Sequence, residues 1–231
     1  MVQLVAFSDR SAVADDLVRI THPTHAGLMA DVTAQFRAGT GFTLATLNLD
    51  HIVKLRRDAD FRAAYLAQSH VVADGNPIVW LSRLAGREVE LIPGSELIAP
   101  LCALAAAEGV PVGLLGATDE TLTAAAAALE AEYPGLRVVA QIAPPYGFDV
   151  EGAGADEALR ELGESGARLC FLALGAPKQE RFAARAQAVL PEVGFLSIGA
   201  SLDFVASSQT RAPAWVRRFA LEWLWRLIGN P

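Results

Sequence analysis

The most reactive candidate side chain in this sequence is Asp74, which follows the apolar run His70–Ala73 and precedes Gly75. A carboxylate at the end of a strand can act as a general base toward a hydroxyl group. Asp-Gly is also a common turn, and Asp before Asn-Pro can cap a helix. Catalysis and capping both stay open for Asp74 on these residues alone.

Thr46 and Asn48 form a polar pair at the end of the run Phe42–Thr46. Alternation along an extended chain puts the two side chains on the same side, where both could hydrogen-bond a sugar hydroxyl or a phosphate. The alternative is a turn or a helix cap, for which Asn48 is well suited.

Glycines follow two further apolar runs, Gly116 after Val112–Leu115 and Gly199 after Gly194–Ile198. Their backbone N–H groups could face a diphosphate at the start of a helix. The G-x-G-x-x-G spacing of dinucleotide sites is absent, so a tight strand-to-helix turn explains these glycines equally well.

The string Gly-Ala-Pro-Lys-Gln-Glu at residues 175–180 follows the run Arg168–Leu174. Lys178 offers a positive charge to a phosphate, and Gln179 offers both a donor and an acceptor. The alternative is a solvated first helical turn, in which the helix dipole favours Glu180. The rarity of the string favours a functional role.

Histidines and cysteines form no recognisable metal motif in the sequence. The four histidines lack metal-ligand spacing with Asp, Glu or Cys, and His22 and His25 fall in a Pro-containing segment expected at the surface. Cys102 and Cys170 are expected to be buried as small apolar residues. The sequence therefore predicts no metal and no cofactor.

The elements that position these residues are short apolar strands alternating with longer helices. Continuous apolar strands are typical of a parallel sheet covered on both faces, so we expect an α/β fold with a Rossmann-like second half. Ligands of such sheets bind at the carboxyl ends of the strands. The remaining predicted strand is Arg137–Ala140, and the predicted helices are Leu28–Arg37, Asp58–Gln68, Asn76–Leu84, Glu96–Glu108, Glu120–Glu132, Glu157–Glu164, Lys178–Val189 and Pro213–Ile228.

The chain of 231 residues is expected to form a single domain, 1–231, with possible lobes 1–90 and 91–231 divided at the polar connection Arg87–Ser95. A Pro- and Gly-bearing loop is predicted over Ala143–Ala155.

Composition excludes several classes of protein. An apolar fraction of 52% excludes a disordered chain, and two cysteines cannot form a disulfide framework. A net charge of −7 argues against nucleic-acid binding.

The sequence shows neither a signal peptide nor an apolar run long enough to span a bilayer, which favours a cytoplasmic location. Residues 211–231 carry four arginines and one glutamate, +3 in total, which leaves −10 for residues 1–210.

Several strings, taken together in their order and spacing, resemble the WecG/TagA/CpsF glycosyltransferases, glycosyltransferase family 26. The resemblance covers about residues 10–231 and rests on these strings: Thr46-Leu47-Asn48, Ala73-Asp74-Gly75, Pro93-Gly94-Ser95-Glu96-Leu97, Leu115-Gly116, Tyr133-Pro134-Gly135-Leu136, Gly175 to Glu180, Ser197 to Ala200 with Asp203-Phe204, Arg211-Ala212-Pro213 with Trp215, and Leu221-Glu222-Trp223 with Arg226.

The resemblance implies an inverting, metal-independent transfer of a sugar from a UDP-sugar to a polyprenyl-pyrophosphate-linked sugar, in bacterial surface polysaccharide synthesis. It implies a peripheral enzyme on the inner face of the cell membrane. Asp74 matches the family's proposed general base, and Thr46 and Asn48 match its substrate-pocket residues. Gln179 matches the glutamine of its Pro-Lys-Gln-Glu motif, placed near the nucleotide-sugar.

Two departures from the family pattern bear on these expectations. Leu91 stands where the family usually has an arginine for phosphate, so Arg83 or Lys178 is expected to take over that contact. The chain ends at Pro231, where relatives continue into a basic appendage, so a truncated chain is one expectation and a member without the tail is the other.

In the predicted helix Pro213–Ile228, apolar residues cover more of the helix surface than the single face that packs on a core. The helix also carries tryptophans beside arginines. It is expected to contact either the membrane or, as the alternative, a second subunit of a homo-oligomer or the missing tail.

Two other functions compete with this one. A nucleotide-sugar epimerase or dehydrogenase is disfavoured by the missing G-x-G-x-x-G and Tyr-x-x-x-Lys patterns. The second competing function is that of an inactive scaffold in a polysaccharide assembly complex. The leucine at position 91 and the missing tail keep this alternative open.

Overall fold

The fold is taken from a computed structural model that describes residues 5–6 and 17–206. The predicted helix Pro213–Ile228 and the positively charged segment 211–231 lie outside the described residues.

Eight strands are described, and six of them form one parallel sheet in the order β4-β3-β8-β7-β5-β6. The first two strands pair with each other apart from this sheet. The strands are β1 Val5–Ala6, β2 Val18–Arg19, β3 Phe42–Leu47, β4 His70–Ala73, β5 Val112–Gly116, β6 Val138–Ile142, β7 Leu169–Ala173 and β8 Gly194–Ser197. The predicted α/β fold with a parallel sheet is thus confirmed.

Nine helices are described within the same residues. They are α1 His25–Ala38, α2 Leu49–Arg57, α3 Ala59–Leu66, α4 Asn76–Leu84, α5 Gly94–Glu108, α6 Asp119–Glu132, α7 Ala153–Glu164, α8 Lys178–Val189 and α9 Ser201–Ala206. Sequence patterns missed α2 and α9, and the predicted loop over 143–155 ends earlier because α7 begins at Ala153.

The two faces of the sheet are buried under different helices. In β7, Leu169 and Phe171 join the core beneath α5 and α6, whereas Cys170 and Leu172 join the core beneath α7 and α8. This alternation is the two-residue period of a strand covered on both sides. A third cluster packs α2, α3 and α4 against β3 and β4.

The chain leaves the neighbouring strands β7 and β8 toward opposite faces. Phe182 of α8 lies in one core and Leu202 of α9 in the other. In open parallel sheets such a reversal opens a crevice beyond the carboxyl ends of the strands, where ligands bind.

One sheet takes strands from both sides of the predicted joint, since β3 pairs with β8. The division into lobes 1–90 and 91–231 stays a prediction. Of the helices within the described residues, none is both long enough and apolar enough to cross a bilayer.

Candidate active site

Asp74 lies half-buried just beyond the carboxyl end of β4. Its N–H donates to the Leu47 carbonyl at 2.8 Å, which extends the β3–β4 pairing by one residue. Since Leu47 pairs with Ala73, Asn48 and Asp74 leave the sheet side by side. The N-cap residue of the following helix α4 is Gly75, so Asp74 lies one residue before the position from which a side chain usually caps a helix.

Asn48 caps α2 through its Oδ1, which accepts from the His51 N–H at 2.9 Å. The capping role considered from the sequence is therefore present. The side-chain NH₂ group of Asn48 is the part that capping leaves for a ligand.

Thr46 is buried at the end of β3, and its carbonyl accepts a hydrogen bond from the Tyr65 hydroxyl at 3.0 Å. The His51 Nδ1 atom lies 2.6 Å from the same hydroxyl oxygen. The hydroxyl has one proton and gives it to Thr46, so His51 donates through Nδ1–H. Burial, assisted by Lys54, lowers the pKa of His51 to about 4, which keeps the ring neutral. Tyr65 and His51 thus fix the backbone that presents Thr46.

Helix α5 begins directly against these residues. A Cβ atom on Gly94 would lie 3.3 Å from the Thr46 Cγ2 and 3.4 Å from the Ser197 carbonyl oxygen. Glycine therefore lets α5 approach the ends of β3 and β8 closely. The buried Ser197 hydroxyl has no hydrogen-bond partner among the described residues.

Helices α4, α5 and α8 all begin at this edge of the sheet without a side-chain capping bond. The partial positive charge of a helix N-terminus is favourable for an anion such as phosphate. The edge therefore combines a carboxylate with several positively polarised backbone groups.

Gln179 is buried in the first turn of α8, and both ends of its amide are engaged. Its Oε1 accepts from the Gly199 N–H at 2.9 Å, and its Nε2 donates to the Glu180 Oε1 at 2.8 Å. Gln179 thus joins α8 to the loop after β8.

Glu180 is fully buried, so the alternative of a solvated first turn is wrong for this residue. The turn packs against α3, where the Gln68 Nε2 donates to the Glu180 carbonyl at 3.2 Å. Burial raises the pKa of the Glu180 carboxyl to about 7, against the opposing effects of the Gln179 hydrogen bond and Lys54.

Both predicted glycines have structural reasons to be glycine. Gly116 has a φ of +106°, and a Cβ there would lie 2.5 Å from the Ala173 carbonyl oxygen. Gly199 has a φ of +57°, and its N–H is taken by Gln179, so donation to a phosphate would require that bond to be given up.

The two predicted phosphate cations lie in different places. Lys178 is exposed at the first residue of α8, next to the site. Arg83 lies in the last turn of α4, about 10 Å along the helix axis from its first residue, and is not brought to the strand ends.

Lys54 reaches the loop before α8 instead. Its Nζ lies 3.5 Å from the Ala176 carbonyl oxygen and 2.6 Å from the Asp50 carboxylate. The sequence interpretation missed Lys54 because α2, the helix that carries it, was not predicted.

A second polar group, the histidine cluster of His22, Asp31 and His70, lies near the amino end of β4. The Asp31 Oδ2 atom is 3.2 Å from the His22 Nε2 and 2.8 Å from the His70 Nε2. His70 is buried and His22 half-buried, which corrects the surface position expected for His22; His25 is exposed as predicted.

The histidine cluster offers three potential metal ligands that the spacing in the sequence did not reveal. The two rings stack with centroids 4.3 Å apart and planes within 4°. Both Nε2 atoms lie within hydrogen-bond distance of one Asp31 oxygen, so contacts with Asp31 account for the arrangement of the two rings. Burial lowers the pKa of His70 to about 4.

Cys102 and Cys170 are buried, as the sequence predicts. Burial raises the pKa of both thiols, that of Cys102 to about 12, so neither is a reactive thiolate.

Comparison with known proteins identifies a family and a characterised relative. The family model of the glycosyl transferase WecG/TagA/CpsF family matches residues 16–231. A protein of Bacillus subtilis (strain 168), N-acetylglucosaminyldiphosphoundecaprenol N-acetyl-beta-D-mannosaminyltransferase, is 26% identical over 194 residues, which cover 83% of this chain and 73% of that protein. The family match spans nearly the whole chain, including every element that builds the edge around Asp74. This chain belongs to the WecG/TagA/CpsF family and is a glycosyltransferase.

Proposed function

We propose that this protein transfers a sugar from a UDP-sugar to a sugar carried on a polyprenyl diphosphate, with inversion and without a metal. The observation that carries the proposal is the strand register that brings Asp74 beside Asn48, two residues beyond Thr46, at an edge where three helices begin. The name of the Bacillus subtilis relative describes transfer of N-acetylmannosamine to N-acetylglucosaminyl-diphosphoundecaprenol, which supports this acceptor class.

In this mechanism Asp74 accepts the proton of an acceptor hydroxyl as its oxygen attacks the anomeric carbon of the donor. The new carbon–oxygen bond forms on the face opposite the diphosphate, and the bond to UDP breaks with its electron pair leaving on UDP. A single displacement of this kind inverts the anomeric centre. Thr46 and the Asn48 amide lie beside Asp74, where they can orient sugar hydroxyls.

The leaving diphosphate carries negative charge, which the N-termini of α4, α5 and α8 can stabilise together with the exposed Lys178. Leu91 provides no charge, but α5 begins three residues later and its first turn lies against Thr46. We therefore assign to α5 the phosphate contact that other family members give to an arginine.

The membrane contact is assigned to residues 211–231 on sequence alone, because arginines and tryptophans occur together there. The protein would then act peripherally at the inner face of the cell membrane. Replacing both Arg217 and Arg218 with Glu should weaken binding to anionic liposomes several-fold, since each basic residue near an anionic surface adds to binding. Unchanged liposome binding would exclude this assignment. Association into a homo-oligomer stays a prediction.

A donor screen tests the proposed reaction. Each UDP-sugar is incubated with a short lipid-diphosphate-linked N-acetylglucosamine, and products are detected by mass and their anomeric configuration by NMR. One UDP-sugar should give a product of inverted configuration that also forms in the presence of EDTA. A product of retained configuration, or no product from any UDP-sugar, would overturn the proposal. The same lipid diphosphate without its sugar serves as the matched control acceptor.

A further inference from the structure

We propose that Glu180 is a positioning residue of the donor site: its buried carboxyl orients the Gln179 amide, which in turn holds the loop after β8 in place. This inference rests on the proposed function only in naming the donor as the ligand of the site. The hydrogen bonds that carry it are those from Gln179 to Glu180 and from Gly199 to Gln179.

The amide of a glutamine is nearly symmetric in shape, so packing alone does not choose between its two orientations. Here a donor, the Gly199 N–H, lies at one end, and an acceptor, the Glu180 Oε1, lies at the other. A flipped amide would face its NH₂ group to the Gly199 N–H and its oxygen to the Glu180 oxygen, which breaks both bonds. Glu180 therefore selects the orientation that binds Gly199.

The Glu180 carboxyl has one more hydrogen-bonding oxygen than its surroundings satisfy. The residue is fully buried, and its Oε2 has no hydrogen-bond partner among the described residues. The polar or charged groups around it are Lys54 from α2, Tyr65 from α3, the amide of Gln179, and Gln68, which donates to the Glu180 carbonyl. A leucine of similar size would avoid the cost of an unsatisfied buried oxygen, so the carboxyl has a role other than filling space.

A proton on Oε2 reconciles burial with this hydrogen bond. The raised pKa, about 7, keeps a large fraction of Glu180 neutral at neutral pH, while Oε1 still accepts from Gln179. The acceptor is therefore present in both protonation states. Glutamine at this position would reproduce the neutral acid, with its oxygen in the place of Oε1.

The loop held by Gln179 borders the proposed diphosphate position. Gly199 follows Ser197 and Ile198, and the Ser197 carbonyl lies close to Gly94 at the start of α5. A change at Glu180 should therefore pass through Gln179 and Gly199 to the wall of the site that faces the donor.

Amide hydrogen exchange and steady-state kinetics test this relay in the full chain. Glu180→Leu and Gln179→Leu should each speed exchange of the Gly199 amide about tenfold, the effect of losing one buried hydrogen bond, and raise the donor KM by a similar factor. The acceptor KM should stay within about twofold. Glu180→Gln should restore both values to near those of the parent, and the exposed Glu161→Leu on α7 is the matched control.

The double variant separates a relay from packing. Glu180→Leu should add little in a Gln179→Leu background, because both changes break the same chain of contacts. Independent, additive effects on the donor KM would overturn the proposal. If Glu180→Leu does not fold, Gln179→Leu and Glu180→Gln still test it, since unchanged Gly199 exchange in the first or released exchange in the second contradicts the relay.

Gly199 amide exchange and sugar transfer test the positioning role and the proposed function separately. The expected exchange pattern in a protein that uses no UDP-sugar would contradict the function and support the positioning of Gly199. Normal transfer with Gly199 exchange unaffected by either leucine variant would support the function and contradict the positioning.

Discussion

The two ends of the sheet carry polar clusters of opposite character. In the histidine cluster near the amino end of β4, the Nε2 atoms of both rings lie within hydrogen-bond distance of the Asp31 Oδ2, and their Nδ1 atoms lie within 3.0 Å of the Thr21 and Ser69 hydroxyls. At the carboxyl ends, the buried Glu180 Oε2 and the Ser197 hydroxyl lack partners among the described residues. Polar groups with partners stabilise a fold, whereas a buried polar group without one indicates a role other than stability.

The same contrast separates stability from chemistry. Asp31 and Asp74 lie near the two ends of one strand, about 13 Å of extended chain apart when measured from His70 to Asp74. Asp31 contacts His22 and the buried His70, and Asp74 stands beside Asn48. Substitutions at the amino end should therefore act on unfolding, and those at the carboxyl end on turnover.

The largest expected effect is the loss of turnover in Asp74→Asn. The amide keeps the shape of the side chain but cannot accept the acceptor proton, so kcat should fall about 1,000-fold. Measurement of initial rates at saturating donor and acceptor checks this. An unfolding midpoint equal to that of the parent confirms that the fold is retained, and near-parent turnover would rule out Asp74 as the base.

Glu180 should make the protein less stable as the pH rises. Its pKa is raised from an ordinary 4.5 to about 7, so the folded state binds more protons than the unfolded state between these values. The free energy of unfolding should fall by about 3 kcal/mol from pH 4.5 to pH 7 through this group. Urea titrations should show this decline and show it largely removed in Glu180→Gln. An identical decline in the variant would contradict the burial of a titrating carboxyl.

His70 should produce a loss of stability in the opposite pH direction. Its pKa is lowered from 6.5 to about 4, so the folded state resists protonation as the pH falls through that window. About 3 kcal/mol of the free energy of unfolding should be lost between pH 6.5 and pH 4, with His51 adding a similar contribution. His70→Phe should flatten part of this acid decline, as followed by circular dichroism. An unchanged acid slope would count against the buried neutral histidine.

The smallest expected effect is a gain of function in Leu91→Arg. Leu91 is 40% exposed and precedes α5 by three residues. A guanidinium there should lower the donor KM about threefold at low salt, the size of an exposed charge interaction. Kinetics at two ionic strengths would reveal it, with Leu84→Arg as a control on the exposed end of α4. Equal effects of the two substitutions would show a general charge effect only.

The parallel sheet could be predicted from sequence because its strands are buried on both faces and carry continuous apolar runs. Asp74, Thr46 and Asn48 could be placed together because the carboxyl ends of parallel strands share one edge. Helix α2 was not predicted because four of its nine residues are charged, and only the Asn48 cap indicates where it begins.

Neither the burial of Glu180 nor the histidine cluster could be predicted from the sequence, for a different reason. Charged first-turn residues are usually exposed, and only packing of α8 on α3 encloses Glu180. His22, Asp31 and His70 are distant in sequence and meet through the fold, so no spacing pattern marks them. Tertiary contacts of this kind leave no local signature.

A matched pair of isosteric substitutions, Asp74→Asn and Asp31→Asn, tests the central claim most directly. Transfer to a lipid-diphosphate-linked sugar is measured beside the urea midpoint for both variants. Asp74→Asn should lose transfer and keep the parent midpoint, whereas Asp31→Asn should keep transfer and lose about 1 kcal/mol of stability, the contribution of a typical hydrogen bond. Parent-like transfer by Asp74→Asn, or loss of transfer by folded Asp31→Asn, would contradict the assignment of catalysis to the carboxyl ends of the strands.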